Sequence, residues 1–171
     1  MSVAGRAPIN TRKAERRELA FHCTGCLKED LVRIEAAERA GTLRTTGNWT
    51  AGEILDHVAK TVEFSIDGFP PEIRVVWPIR VIARLMKGRV TSGKTLSAGF
   101  KLPKESAAFL PSPGASTADG LARMRRVLDR LDGGARCTHA SPAFGALSHD
   151  EWMRLHLGHA QLHLGFIQGI R

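Results

Sequence analysis

The sequence predicts an all-α fold, a four-helix bundle with one long connection between its second and third helices. Capping-box signatures stand at Thr50 with Glu53, Ser116 with Asp119, and Ser148 with Glu151. In each, a hydroxyl takes an orphan helix amide and the acid three residues on reaches back to the cap's own amide. Apolar residues recur at three- and four-residue intervals in four separate stretches, and no stretch alternates strongly enough to build a sheet. At 171 residues the chain fits one domain, large enough to bury roughly 70% of the surface its unfolded form exposes.

The elements follow in order. Residues 1–15, with Arg6, Arg12 and Lys13, read as a flexible basic arm, and the bundle domain is expected over 16–171. Leu27, Leu31 and Ile34 set a first helix from about Thr24 to Ala40, with Gly41 placed to end it as a left-handed cap. A second helix begins at Thr50, with Trp49 and Ile54 as a hydrophobic staple, and ends near Gly68 before Pro70-Pro71. Ile54, His57, Val58, Thr61 and Phe64 share one side of it. A long excursion from Phe69 to Ala115 holds a short basic amphipathic segment at Pro78 to Lys87, then chain rich in Gly, Ser and Pro. Leu121, Met124, Leu128 and Leu131 define a third helix closed by Gly133-Gly134. The fourth, stapled by Leu147 and Trp152, places Trp152, Leu155, His156, His159, Leu162, His163 and Phe166 on one stripe, roughly 120° wide at about 100° per residue.

Composition narrows the class. Hydrophobic residues at 43% and charged residues at 25% exclude collagen-like, mucin-like and disordered chains. The absence of tyrosine excludes a phenol as acid, ligand or stacking platform. Three cysteines and no apolar leader point to a reducing, cytoplasmic setting. The most apolar window, Val75 to Met86, is interrupted by Pro78, Arg80 and Arg84 and falls well short of the ~20 residues a bilayer span needs, so no membrane partner is expected.

Lys and Arg number 25 against 17 Asp and Glu, a net charge of +8. Eight of those cations, Arg74, Arg80, Arg84, Lys87, Arg89, Lys94, Lys101 and Lys104, fall between Ile73 and Lys104 with no acid among them. A solvated loop face is the plain reading. The next is an anion site, built on Arg80 and Arg84, for a carboxylated thiol or a phosphorylated small molecule. Nucleic acid ranks third, because no interleaved aromatics are present to stack bases.

His159 and His163, four apart on one helix, present their imidazoles one turn above the other. With His57 from the second helix they form a set of three inward histidines. Such a set is either a hydrogen-bonded core cluster or three ligands to an imidazole-favouring ion such as Zn²⁺ or Ni²⁺, leaving a position open for water or thiol. His156, three residues before His159, is either a hydrogen-bonding partner that orients a ligand or an alternative ligand. Glu53 and Glu151 are already explained by their capping boxes. Cys23-Thr24-Gly25-Cys26 at a helix start suggests redox chemistry, but the βαβ setting of thioredoxin-like motifs is missing. A structural zinc site joining His22, Cys23 and Cys26 with Cys137 or His139 lacks a second local pair. Small, partly buried thiols near a cap are the favoured reading.

The ordered set Gly47-Asn48-Trp49-Thr50, Gly52, Ile54, His57, Pro142-Ala143-Phe144-Gly145, Trp152 and His159/His163 resembles the DinB/YfiT-like superfamily, over about Arg16 to Phe166. More narrowly it resembles one of that superfamily's branches of unknown function. The resemblance implies a four-helix bundle, often a homodimer, in which His57, His159 and His163 bind a divalent ion. Relatives with a known role use the metal to activate a low-molecular-weight thiol. The expectation is therefore a metal-dependent transferase or hydrolase acting on a small anionic molecule. The competing expectation is a non-catalytic binding protein for an anionic partner, with the histidines only structural.

Overall fold

The computed structural model describes residues 8–73, 75–99 and 104–170. Arg6, Arg74 and Lys101, singled out above, lie outside the described residues, as does the side chain of Lys104. The chain is mostly helical, as expected for an all-α protein. Four long helices, α1 (Thr24–Arg39), α2 (Ala51–Asp67), α5 (Thr117–Asp132) and α6 (His149–Leu164), supply most of one core. Between α2 and α5 the excursion forms α3 (Trp77–Leu85), α4 (Lys87–Val90) and a 3-10 turn (Lys104–Phe109).

Local chemistry sets the helix ends. Thr50 and Ser148 make complete capping boxes with Glu53 and Glu151. Ser116 departs from the expectation: its hydroxyl accepts the Asp119 amide, but the Asp119 carboxylate takes the Ser116 hydroxyl at 2.6 Å rather than the cap's amide. Gly41, at φ +66°, supplies the left-handed residue just beyond α1.

α2 is the central helix, buried on more sides than its histidine face alone, since Leu55, Ala59 and Val62 are also fully enclosed. It packs most extensively against α5. Close approach there requires glycine: a Cβ at Gly120 would fall 2.7 Å from the Leu55 Cβ and 2.8 Å from the Gly52 carbonyl. Asp56 and Glu63 of α2 grip Arg123 of α5. Burial pushes the Asp56 carboxyl up, but the Ser112 amide, Arg123 and Lys60 outweigh it and hold the group below its ordinary value.

Two expectations need correction. Strands are present: β1 (Arg44–Thr45) pairs antiparallel with β2 (Ile167–Gln168), and two-residue strands are too short to show an alternation. Phe166 lies beyond the end of α6 rather than on its stripe, although it is buried. The described part of the expected basic arm is also attached to the bundle. Ile9 donates to Asn48 Oδ1 at 2.7 Å and accepts from Asn48 Nδ2 at 3.0 Å, and the Thr46 hydroxyl donates to the Glu15 carbonyl. Next to it, Arg17 forms a two-pronged pair with buried Asp30 at 2.8 and 2.9 Å and donates to the Ile167 carbonyl, fixing the entry segment to the end of the chain.

The excursion is docked along α6. Arg154 Nε donates to the Thr91 carbonyl at 2.8 Å, and Thr95 donates to Gln161 Oε1 at 2.7 Å. Gly158 admits the Lys94 carbonyl, which a Cβ would approach to 2.6 Å. α3 turns Trp77, Val81, Ile82 and Leu85 outward. No helix among the described residues is long and apolar enough to cross a membrane.

Candidate metal centre

α2 brings His57, and α6 brings His159 and His163, to one place. One ligand atom from each lies within 4.8 Å of the others, and among the described residues they are the one group of three or more such side chains that could hold a metal ion. His57 is buried; His159 and His163 are half-buried. The rings meet edge to face, with centroids 4.5 to 4.9 Å apart. Trp49 closes one wall, tilted over His57 at 4.9 Å and stacked on His163 at 5.5 Å.

Hydrogen bonds set the tautomers. His57 Nδ1 lies 2.5 Å from the Phe109 carbonyl, which can only accept, so Nδ1 carries the proton and Nε2 a lone pair. The Thr61 hydroxyl donates to the Val58 carbonyl at 2.8 Å, so toward His159 Nδ1, at 3.3 Å, it acts as acceptor. His159 is thereby also protonated on Nδ1 with its lone pair on Nε2. The two Nε2 atoms face each other at 3.1 Å. That separation suits either a ring N–H···N hydrogen bond or two nitrogens that would hold one ion together with His163. The ring N–H bonds to Phe109 and Thr61 are the outer contacts that orient metal-ligating histidines.

Electrostatics favour the neutral, ligating form. Burial pushes His57 down to about 4, aided by the Lys60 cation and opposed by the Phe109 carbonyl and Asp56. Burial also holds His159 and His163 well below the ordinary imidazole value, with the neighbouring rings adding to it.

His156 stands apart from the three. Its Nε2 lies 2.9 Å from the Ser65 hydroxyl, which itself donates to the Val62 carbonyl at 2.7 Å, and its Nδ1 finds no partner among the described residues. Trp152 stacks on it at 5.0 Å and donates to the His139 carbonyl. Burial pushes His156 down to about 3, with His149 adding to the effect. Glu53 and Glu151 are occupied by their caps.

Arg80 and Arg84 line a cavity of about 640 Å³ with Ile73, Val75, Ser141 and Pro142. Neither guanidinium forms an ion pair among the described residues. The cavity shares no lining residue with the histidine group. In the sequence Thr61 shares the histidine face without an evident role, and Trp49 reads as a staple residue. Thr61, four residues after His57, was legible as a same-face neighbour. The Phe109 carbonyl had no signal, because a backbone atom 52 positions away depends on how the excursion folds.

Fold and site together define a mostly helical protein with three converging histidines able to hold a metal ion. Residues 13–169 match the family described as Protein of unknown function (DUF1569), and the chain belongs to that family. No curated protein and no solved structure matches it.

Proposed function

We propose that this protein is a metal-dependent enzyme of the DinB/YfiT-like kind, holding one divalent ion on His57, His159 and His163 and acting on a small anionic molecule by hydrolysis or thiol transfer. The observation that supports it best is the convergence of the three histidines, with the Nε2 atoms of His57 and His159 3.1 Å apart and each Nδ1 beside a hydrogen-bond partner of its own. When bound, the ion supplies a Lewis acid that lets water or a thiol at its open position lose a proton near neutral pH. Zn²⁺ and Ni²⁺ suit an all-imidazole set.

The chain's own residues do the rest. Phe109 and Thr61 hold two rings in the ligating tautomer. Trp49 covers His57 and His163 and keeps water from one side. Half-burial of His159 and His163 leaves the approach on their side. Arg80 and Arg84, with no acidic partner among the described residues, draw an anion to the 640 Å³ cavity. That cavity is lined by none of the three histidines, which favours a second reading as an anion-binding protein with a structural histidine cluster.

Turnover and binding separate the two. Untagged protein loaded with Zn²⁺ or Ni²⁺ is screened against phosphate and carboxylate esters, with and without small thiols, beside His159→Ala and the double change Arg80→Glu with Arg84→Glu. The enzyme reading expects turnover that disappears in His159→Ala and weakens in the arginine variant with metal content unchanged. Anion binding that is equal in wild type and His159→Ala, with no turnover, would establish the second reading instead.

A further inference from the structure

The Cys23/Cys26 pair lies outside the metal centre and is not used by it. Cys23 is the N-cap of α1: its sulfur accepts the Cys26 amide at 3.3 Å. The two sulfurs are 3.0 Å apart, closer than two non-bonded sulfurs normally rest. Cys23 is exposed, Cys26 is half-buried behind it, and Cys137 is fully enclosed elsewhere. Among the described residues neither joins a third metal-ligating side chain, so the four-ligand zinc alternative has no geometry to support it.

We propose that Cys23 and Cys26 form a reversible two-electron redox site that exchanges with low-molecular-weight disulfides. The missing βαβ setting argues against a thioredoxin fold but not against the chemistry. What exchange needs is an accessible sulfur at a helix N-terminus and a second one within reach.

Cys23 provides the first. Its thiolate attacks one sulfur of an incoming disulfide RS–SR; the S–S bond breaks, and the first RS⁻ leaves and takes up a proton. Cys26 then attacks the Cys23 sulfur of the mixed disulfide and expels the second RS⁻, which is also protonated. The net change is two protein thiols plus RS–SR giving Cys23–S–S–Cys26 plus two RSH; the protein is oxidised by two electrons and the small disulfide reduced by two. Moving from 3.0 Å to a bond of about 2.05 Å needs only a small side-chain rotation. The Cys26 amide directed at the Cys23 sulfur stabilises negative charge there, and the Cys26 thiol is held below its ordinary value, chiefly by the hydrogen bond from Cys23 and next by the His22 backbone.

The test equilibrates full-length protein in graded mixtures of reduced and oxidised glutathione, then quenches, alkylates and weighs it. Wild type is expected to lose two hydrogens in one step, with Cys23 and Cys26 linked in one peptide and Cys137 alkylated only after denaturation. Cys26→Ser should stop at a stable glutathione adduct on Cys23, and Cys23→Ser should react at least tenfold more slowly. Three results would overturn the proposal: both thiols staying reduced while Cys26→Ser is readily glutathionylated, cross-linking between chains only, or oxidation that begins only after a chelator strips a bound ion from the pair.

Discussion

Thr61→Val removes one hydroxyl and changes almost no volume, so it isolates the tautomer of His159. In the wild-type protein the hydroxyl donates to the Val58 carbonyl and accepts the His159 Nδ1 proton. Without that acceptor the proton moves to Nε2, where it can donate across 3.1 Å to the His57 Nε2 lone pair. The metal-free protein gains a hydrogen bond in place of the one it loses, and its stability should change by less than about 1 kcal/mol. Metal binding must now displace that proton and proceeds on a ring with no outer partner. Loss of such a partner lowers metal affinity by about 10- to 100-fold, or about 1.4–2.8 kcal/mol. Competition against a chromophoric chelator measures the affinity, and urea unfolding in excess chelator measures the stability. A variant with wild-type affinity, or one that loses several kcal/mol of metal-free stability while binding metal as before, would refute the assignment of His159 as an Nε2 ligand.

The two tryptophans should separate. Trp152 is 3% exposed, and Trp152→Ala should cost about 3–5 kcal/mol in urea unfolding; half-buried Trp49 should cost less on the same change, and equal losses would contradict the burial assigned to them. A pH series tests the buried neutral imidazoles. His156 sits at about 3 in the fold against an ordinary 6.5, so between those values the unfolded chain holds a proton that the native chain does not. Its contribution is complete above pH 6.5 and drains away as the pH falls toward 3, by about 1.4 kcal/mol per pH unit. In excess chelator, His156→Leu should flatten the stability profile by that slope; an unchanged slope would show that His156 is not held neutral.

Much of the bundle was legible because its signals are local. Thr50/Glu53 and Ser148/Glu151 set helix starts from four residues each, and Gly41 marked the end of α1 without tertiary help. The β1/β2 ladder was not legible, since Thr45 and Ile167 lie far apart in the sequence and pair only once the fold has brought them together. At the site, helical spacing put His159 above His163 and turned His57 inward. It could not supply the Phe109 carbonyl, nor show that Trp49, read as a residue outside a cap, lies over two of the rings. Ser116/Asp119 shows the limit of a local motif: where the two complete boxes carry Glu, the shorter Asp119 side chain bonds the Ser116 hydroxyl in place of its amide. For Arg80 and Arg84 the charge was visible. Their cavity was not, because its other wall is the turn at Ser141 and Pro142, about sixty residues later.

Elemental analysis of protein purified without a histidine tag tests the metal centre most directly. Wild type should carry close to one transition-metal ion per chain. His57→Ala, His159→Ala and His163→Ala should each lose most of it, with the far-UV helix signal retained. Wild-type protein that neither carries nor takes up Zn²⁺ or Ni²⁺, or single-histidine variants with undiminished metal, would show that the three rings are a core cluster and not ligands.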